Sequence, residues 1–446
     1  MARPGGPADD RVAEVLWSSG IADPGASPAL ASDVEADVAI VGGGFTGLAA
    51  ALSIRERRPD LSVVVLEASI CGAGASGRNA GMALPGCGVD LDGLETRLGA
   101  EGARRAIAWM ARGLDRLVHL ADGQGEAGAI ERTGSLALAR TPRQARDQQA
   151  RLAVYRRLGV EADLIAPDAL RRAIAAPGYF AGFQVPGGAL LVDPWRLVRA
   201  LRRAVLQAGV TLHETTPVAA IREGTPAALV CAGGTVRARS VVLAVNAWAP
   251  HLGYFRNRVA PMHVACIATE PLAPPDREAI GWKGRQALWE EGHVYHFLRL
   301  TPDDRVLIGG GGATYLAWDG MTFERRAAVF AGLERALVRI LPGLSGVRVT
   351  HRWSGPVAFA RDFLPSIGTL GRHRNVHYAL GYTGHGVALS HLAGEVIAAL
   401  VAGDEDEVAG LFLLNRPFPT LLRDPFKWIA IHAVRNGWLA LDRLGL

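Results

Sequence analysis

Lysine is nearly missing from this 446-residue chain: Lys283 and Lys427 are the only two, and arginine supplies almost all the rest of the positive side of a formal charge of +5. The arginines are scattered among acids rather than gathered into an arm or a stripe, which excludes the footprint of a nucleic-acid binder and leaves a mild preference for anionic ligands. Cysteine is scarce too. Cys71, Cys87, Cys231 and Cys266 stand far apart with no C-x-x-C pair, so buried free thiols in a reducing compartment are the simplest account. No apolar run is long enough to span a bilayer, and Met1 to Asp10 carry Pro, Gly and acids where a signal peptide carries an apolar core. The expected location is the cytoplasm.

What remains has an ordinary globular balance, 49% hydrophobic and 20% charged. Single cores stop growing at roughly 250 to 300 residues, so two domains are expected, one for a cofactor and one for a substrate. Residues up to Glu35 form a lead-in rich in Ala, Pro, Gly and Asp, with one apolar patch from Val15 to Trp17. Asp37 to Val41 is then a β-branched run ending in glycines, Thr46 to Arg57 is rich in alanine and leucine and stops before Pro59, and Leu61 to Leu66 is a second β-branched run. Strand, helix and strand in that length form a βαβ unit, whose parallel strands need helices on both faces.

Farther along, helices are expected over Glu101 to Leu120 and Gln144 to Leu158, and extended chain over Gly134 to Ala139 and Phe183 to Pro186. Asp193-Pro194 places a capping side chain before a proline suited to the first helical position. That helix leads to a strand from Val210 to His213, and Val236 to Asn246 reads as a strand pair with an apolar end. Strand patterns in Val264 to Thr269, His293 to Leu300 and Arg305 to Gly309 suggest an antiparallel sheet, and so a second domain.

Gly42-Gly43-Gly44-Phe45-Thr46-Gly47 fits G-x-G-x-x-G. In such a turn the first glycine makes the tight bend, the second lets backbone approach a pyrophosphate, and the third lets the helix pack on the strand. The amides opening the helix then face the phosphates with the positive end of the helix dipole behind them. Alone the string is weak, but Glu67 lies 20 residues past Gly47 at the end of the next strand, where a carboxylate accepts hydrogen bonds from a ribose. The plainer alternative is a structural turn with a surface glutamate. Directly after Glu67 and Ala68 comes a second loop of small residues, with Gly74, Ala75, Ser76, Arg78, Asn79, Ala80 and Gly81, able to lay amides along a pyrophosphate and the rings beyond it. A flexible linker rarely interrupts a compact domain at such a place.

These segments together resemble the D-amino-acid oxidase superfamily of FAD-dependent oxidoreductases, in the branch of gamma-glutamylputrescine oxidase. The likeness runs from about Trp17 to Gly403 and includes Arg352-Trp-Ser-Gly355, Asp362-Phe-Leu-Pro365, Ile367-Gly368 and Gly381-Tyr-Thr-Gly-His-Gly386. It implies an α/β fold: a Rossmann-like FAD-binding domain of the glutathione-reductase type, interleaved with a substrate domain built on a mixed or antiparallel sheet with helices. The expected division is a lead-in over 1–35, FAD-binding segments 36–95, 188–250 and 350–403, substrate segments 96–187 and 251–349, and a helical tail over 404–446. Val218 joins the cofactor set. The resemblance also implies that Gly381, Gly384, His385 and Gly386 set a helix N-terminus beside the flavin, where it favours developing negative charge.

Three departures from the superfamily pattern shape the expectations. Arg78 or Asn79 stands where some members attach flavin through a histidine, so FAD is expected to be non-covalent. Ala388 stands where the sarcosine-oxidase branch holds a substrate carboxylate with lysine, which disfavours a simple N-methyl amino acid. Asn246 replaces a strand-end glycine and tolerates left-handed backbone.

The chemistry expected is oxidation of a small primary or secondary amine or amino acid to an imine by hydride transfer, with oxygen or another electron acceptor. Positioning and desolvation suffice for it, so no catalytic triad is required. Tyr295, Phe297 and Arg299 on the second sheet, Trp353, and Tyr382 with His385 are the candidates to line the pocket; aromatic walls exclude water and hold cations. Core packing is the plainer role for Tyr295, Phe297 and Trp353. The histidine pairs His293 with His296 and His373 with His377 lack companion ligands, so no metal is expected. The tail from Asp424 to Leu444 reads as a helix opened by Asp-Pro, and docking on the protein is its commoner fate than contact with a membrane, since its basic residues are few. Two other classes stay open: a dehydrogenase feeding a quinone or partner protein, and a nucleotide-binding interaction module.

Overall fold

The β-branched run that ends in glycines forms the strand Val34–Val41, whose last four residues are all buried, as a parallel strand covered on both faces must be. The computed structural model describes residues 15–19, 25–321 and 327–445; Met1 to Asp10 lie outside them. The helix Phe45–Arg57 follows the glycine turn, and Val63–Leu66 returns parallel to the first strand, Val38 beside Val63. Thr211–His213 extends the sheet on one side and Gly234–Leu243 on the other, both parallel. Val376–Leu380 then lies parallel on Val241 to Leu243, bringing the last third of the chain back to the first. The hairpin partner of Gly234–Leu243 is Ala227–Cys231. Val236 to Asn246 is therefore not a strand pair: the turn precedes it, and Asn246 leaves the strand with φ 42° to open a 3-10 turn.

The second sheet has nine strands and is mixed. Val259–Thr269, Val306–Gly310, His296–Leu300 and Ala287–Glu290 follow one another in antiparallel order, and Ala287–Glu290 then lies parallel to Ser135–Ala139. The helix Ala327–Ile340 covers one face through Phe330, Leu333, Leu337 and Ile340, packed with Ile267, Leu298 and Ile308. Val349–Ala360 pairs along Val259–Thr269 before the chain passes to the first sheet.

Helical expectations hold with adjusted ends. Leu91–Gly123 starts ten residues before Glu101 and turns at Gly99, φ 70°. Asp193 caps Pro194–Gln207 by accepting from the amides of Trp195 and Arg196, each at 3.0 Å. Asp424 does not cap the tail helix Phe426–Leu444; its carboxylate instead accepts from the Tyr315 hydroxyl at 2.6 Å. That helix docks on the protein through Lys427 and Asp442. Among the described residues no helix is long and apolar enough to cross a membrane.

Candidate active site

Glycine is required by contact as well as by bending in the first turn. Gly42 takes φ 106°, and a Cβ on Gly47 would stand 1.9 Å from the Gly42 carbonyl oxygen, so only a bare backbone lets helix and strand meet. Glu67 is in direct contact with this turn. One carboxylate oxygen accepts from the Gly43 amide at 2.7 Å and the other from the Ser69 amide at 2.9 Å. Burial raises the carboxyl pKa while those amides oppose the rise.

The second small-residue loop folds onto the first. Ser76 Oγ accepts from the Phe45 amide at 2.8 Å, capping the helix of the glycine turn from outside its own segment. Asn79 ties the loop to itself, donating to the Ser76 carbonyl and accepting from the Gly81 amide. Arg78 Nε donates to the Ala73 carbonyl at 2.7 Å, and Gly355 leaves room for the arginine stem.

A second helix, Gly386–Ala402, aims its N-terminus at the same place. Gly394 fits it against the first helix, since a Cβ there would lie 2.7 Å from the Ala49 backbone. Tyr382 Oη and Thr46 Oγ1, 2.9 Å apart, link the starts of the two helices. The turn between strand and helix is strained: Gly381, Thr383 and Gly384 all have positive φ, and a β-branched residue at φ 49° is rare. Such strain gathers at functional sites. Burial holds His385 below the ordinary imidazole pKa, so its ring is neutral at pH 7.

These parts wall one continuous cavity of about 2690 Å³, well above the roughly 300–1,000 Å³ of a drug-sized site. Gly42, Gly44, Phe45, Thr46, Glu67 and Ala68 line it, as do Gly74, Ala75, Ser76, Arg78, Asn79 and Ala80. Val218, paired across its hairpin with Cys231, lines it, as do Tyr382, Gly384, His385 and Gly386. Tyr295, Phe297, Met262, Phe359 and Phe363 add an apolar, largely aromatic part of the wall.

Three expected glycines build the site without lining it. Gly47 seats the helix, Gly81 makes room for Arg299, and Gly381 makes room for Phe418. Arg299 and Trp353 require correction, because neither reaches the cavity. Arg299 is 1% exposed and donates to the carbonyls of Gly81 and Val192 at 2.8 and 2.6 Å, so it staples the second loop from behind. Trp353, 4% exposed, donates Nε1 to the Arg78 carbonyl, supporting that loop from the other side.

Several contributors escaped the sequence reading. Trp17 donates to the Asn79 carbonyl at 2.8 Å, so the apolar patch of the lead-in docks on the second loop. Glu214, nearly buried, accepts from the amides of Cys71 and Ser27. The tail helix adds Lys427, Val434, Arg435 and Trp438 to the cavity wall. Trp17 had a signal as an isolated apolar cluster in a polar segment, and the tail residues had one as a helix expected to dock; Glu214 had none. His293 and His296 bind Asp442 and Glu290 respectively, and His377 contacts Thr369.

The likenesses to known proteins agree with this geometry. Residues 37–400 match the family described as DAO, FAD dependent oxidoreductase. The chain is 32% identical over 428 residues to gamma-glutamylputrescine oxidoreductase of Escherichia coli strain K12, covering 94% of this chain and 95% of that protein. It is 28% identical to glycine oxidase of Geobacillus kaustophilus strain HTA426, covering 83% and 93%. The solved glycine oxidase from Geobacillus kaustophilus superposes with a TM-score of 0.68 at 25% identity, over 83% of this chain and 95% of that one. The L-proline dehydrogenase from P. horikoshii shares the fold, with a TM-score of 0.69 at 20% identity over 83% and 94%. With a glycine turn answered by a half-buried carboxylate, two helix N-termini on one cavity and a family match over most of its length, this chain belongs to the DAO family of FAD-dependent oxidoreductases.

Proposed function

We propose that this chain oxidises the carbon–nitrogen bond of a small primary or secondary amine or amino acid to an imine, with oxygen as electron acceptor and hydrogen peroxide as the second product. The relatives point to the substrate class, being named for gamma-glutamylputrescine and for glycine. The observation that carries the reading is that the glycine turn, the start of the helix at Gly386 and the aromatic side chains of the second sheet all line the same cavity.

The residues present fit FAD. Gly42, Gly44 and Gly74 line the cavity with bare backbone, Glu67 beside the glycine turn would accept from a ribose, Val218 would face the adenine, and two helix N-termini favour anionic groups. We assign cofactor binding to 36–95, 188–250 and 350–403 and substrate binding to 96–187 and 251–349, with Val349–Ala360 passing between them. Non-covalent binding is supported by the thiols on the wall: burial raises Cys231 and pushes Cys266 up to about 12, leaving neither as a reactive thiolate. When bound, FAD supplies the hydride acceptor and with it the redox chemistry.

The chain's own task is then to hold the substrate neutral, dry and aligned. Tyr295 and Phe297 wall the chamber and shed water, which favours the uncharged amine over its ammonium. Neutral His385 and Tyr382 fix the turn that meets the cofactor. Anaerobic mixing with a panel of amines and amino acids tests the reading: a substrate bleaches the flavin absorbance, and air restores it quickly. Failure of every amine to bleach it would sink the proposal, and slow return in air would move the electrons to a quinone or a partner protein.

A further inference from the structure

A helix lying on a globular protein ordinarily buries its apolar stripe and shows water its charges. The tail helix Phe426–Leu444, which lies beyond the residues that match the family, is turned the other way. The stripe it lays on the protein, at helical spacing, is Lys427, Ile431, Arg435, Trp438 and Asp442. Lys427 is buried and pairs with Asp319 at 2.7 Å, Ile431 packs with Met262 and Tyr315, and Trp438 stacks on His293. Asp442 accepts from the amides of His293 and Val294 at 2.9 and 2.8 Å. These contacts fix which side faces in. The side left facing out carries Phe426, Ile429, Ala433, Ala440, Leu441 and Leu444, all exposed, Phe426 at 65%.

The apolar surface extends past the helix. Leu422 is exposed, and so is Trp318, at 72%, whose amide donates to Asp424 at 3.1 Å beside the helix start. Of the thirteen large apolar side chains exposed among the described residues, seven lie between Leu422 and Leu444. Such a concentration marks a contact surface.

Charge decides what covers it. The acids of the segment 422–445 are Asp424 and Asp442, and both side chains are nearly buried. Its fully exposed cations are Arg423 and Arg443, one near each end, and neither is ion-paired among the described residues. A second copy of the chain would set the same patch against itself, since a twofold contact is self-matching, and would bring two more arginines with no acid to meet them. Met1 to Asp10, outside the described residues, hold no leucine, isoleucine, valine or aromatic residue to fill the face. An anionic bilayer supplies both halves, acyl chains for the apolar side chains and phosphates for the arginines. Tryptophan at the edge of such a patch suits the headgroup layer.

We propose that the outer face of the tail helix docks this protein on an anionic membrane surface, the helix lying in the headgroup plane without crossing it. The inner face keeps its place on the cavity wall, and the docking is independent of which amine is oxidised.

The test sediments the full chain, as purified, with vesicles of phosphatidylcholine alone and of phosphatidylcholine with phosphatidylglycerol. Wild type should pellet with the anionic vesicles and stay in solution with the neutral ones. Phe426→Glu with Ile429→Glu should weaken binding at least roughly tenfold, because two large apolar side chains no longer enter the bilayer. Arg423→Gln with Arg443→Gln should weaken it roughly thirtyfold. Phe180→Glu, the same charge at an exposed aromatic position away from the tail, should leave it unchanged. None of these side chains lines the cavity, and melting temperatures near wild type would show each variant folded. A wild type that ignores anionic vesicles, equal loss in Phe180→Glu, or binding that survives Phe426→Glu with Ile429→Glu would overturn the proposal. So would a wild-type dimer in sedimentation velocity that the same pair of changes dissolves while vesicle binding is absent, which would give the face to a second copy.

Discussion

At the scale of single residues, one methyl group decides whether the cofactor turn exists. Gly47→Ala would drive a Cβ to 1.9 Å from the Gly42 carbonyl oxygen, and backbone cannot step aside as a flexible side chain can. The expected cost is about 1–3 kcal/mol of stability, with FAD affinity at least roughly tenfold weaker by fluorescence titration, because helix and turn must part. Wild-type affinity in that variant would contradict the packing argument. His391 gives a pH prediction. Burial in the helix Gly386–Ala402 pulls its pKa down to about 3, and its Nε2 has no partner. The unfolded ring takes up a proton below about 6.5 while the folded ring resists until about 3, so stability is full above that range and drains away on acidification. His391→Leu should therefore be more stable than wild type at pH 5 by about 2 kcal/mol relative to their difference at pH 8. Urea melts at the two pH values would show it, and parallel melts would refute it.

Elements obey a different logic, in which a docked helix is only as firm as its clamps. Lys427→Met leaves Asp319 and Asp424 without their shared cation at a nearly buried site, and breaking one side of such a pair typically costs about 3–5 kcal/mol. Asp442→Asn, which weakens the hold on His293 and Val294, should speed limited proteolysis within 426–445 while leaving the thermal melt of the rest nearly in place. Resistance equal to wild type would show that the clamp is dispensable. This element also shows what sequence can and cannot convey. Apolar periodicity identifies the tail helix, but nothing in its pattern names the groove that receives it. The same holds for the strand His296–Leu300. Phe297 and Arg299 share one face by alternation, yet two residues along a strand is about 7 Å, enough to put one ring on the cavity and the other side chain behind Gly81. Glu67 was legible because its distance from the glycines is set by the length of one βαβ unit. Ser76 belonged to a recognisable loop, but its cap on Phe45 depends on how that loop folds back.

For the whole molecule, the cavity walls come from both sheets and from the tail, so the cofactor should act as shared core. Stripping FAD by mild acid is expected to lower the melting temperature by several degrees, and restoring it at about 100 times its dissociation constant should return about 2.7 kcal/mol. Calorimetry with and without flavin measures this, and identical melts would mean the walls stand unaided. The α/β class was readable from parallel-strand runs flanking an alanine-rich helix. Less readable was the lead-in, whose Trp17 reaches the second loop across a long sequence separation.

The two helix starts that meet at the cavity open at Phe45 and Gly386, near opposite ends of the chain. During synthesis the first must wait on the ribosome for the second to emerge. A chain cut before Gly386 lacks one of the two starts and is therefore expected to hold no flavin, so that truncation should purify colourless.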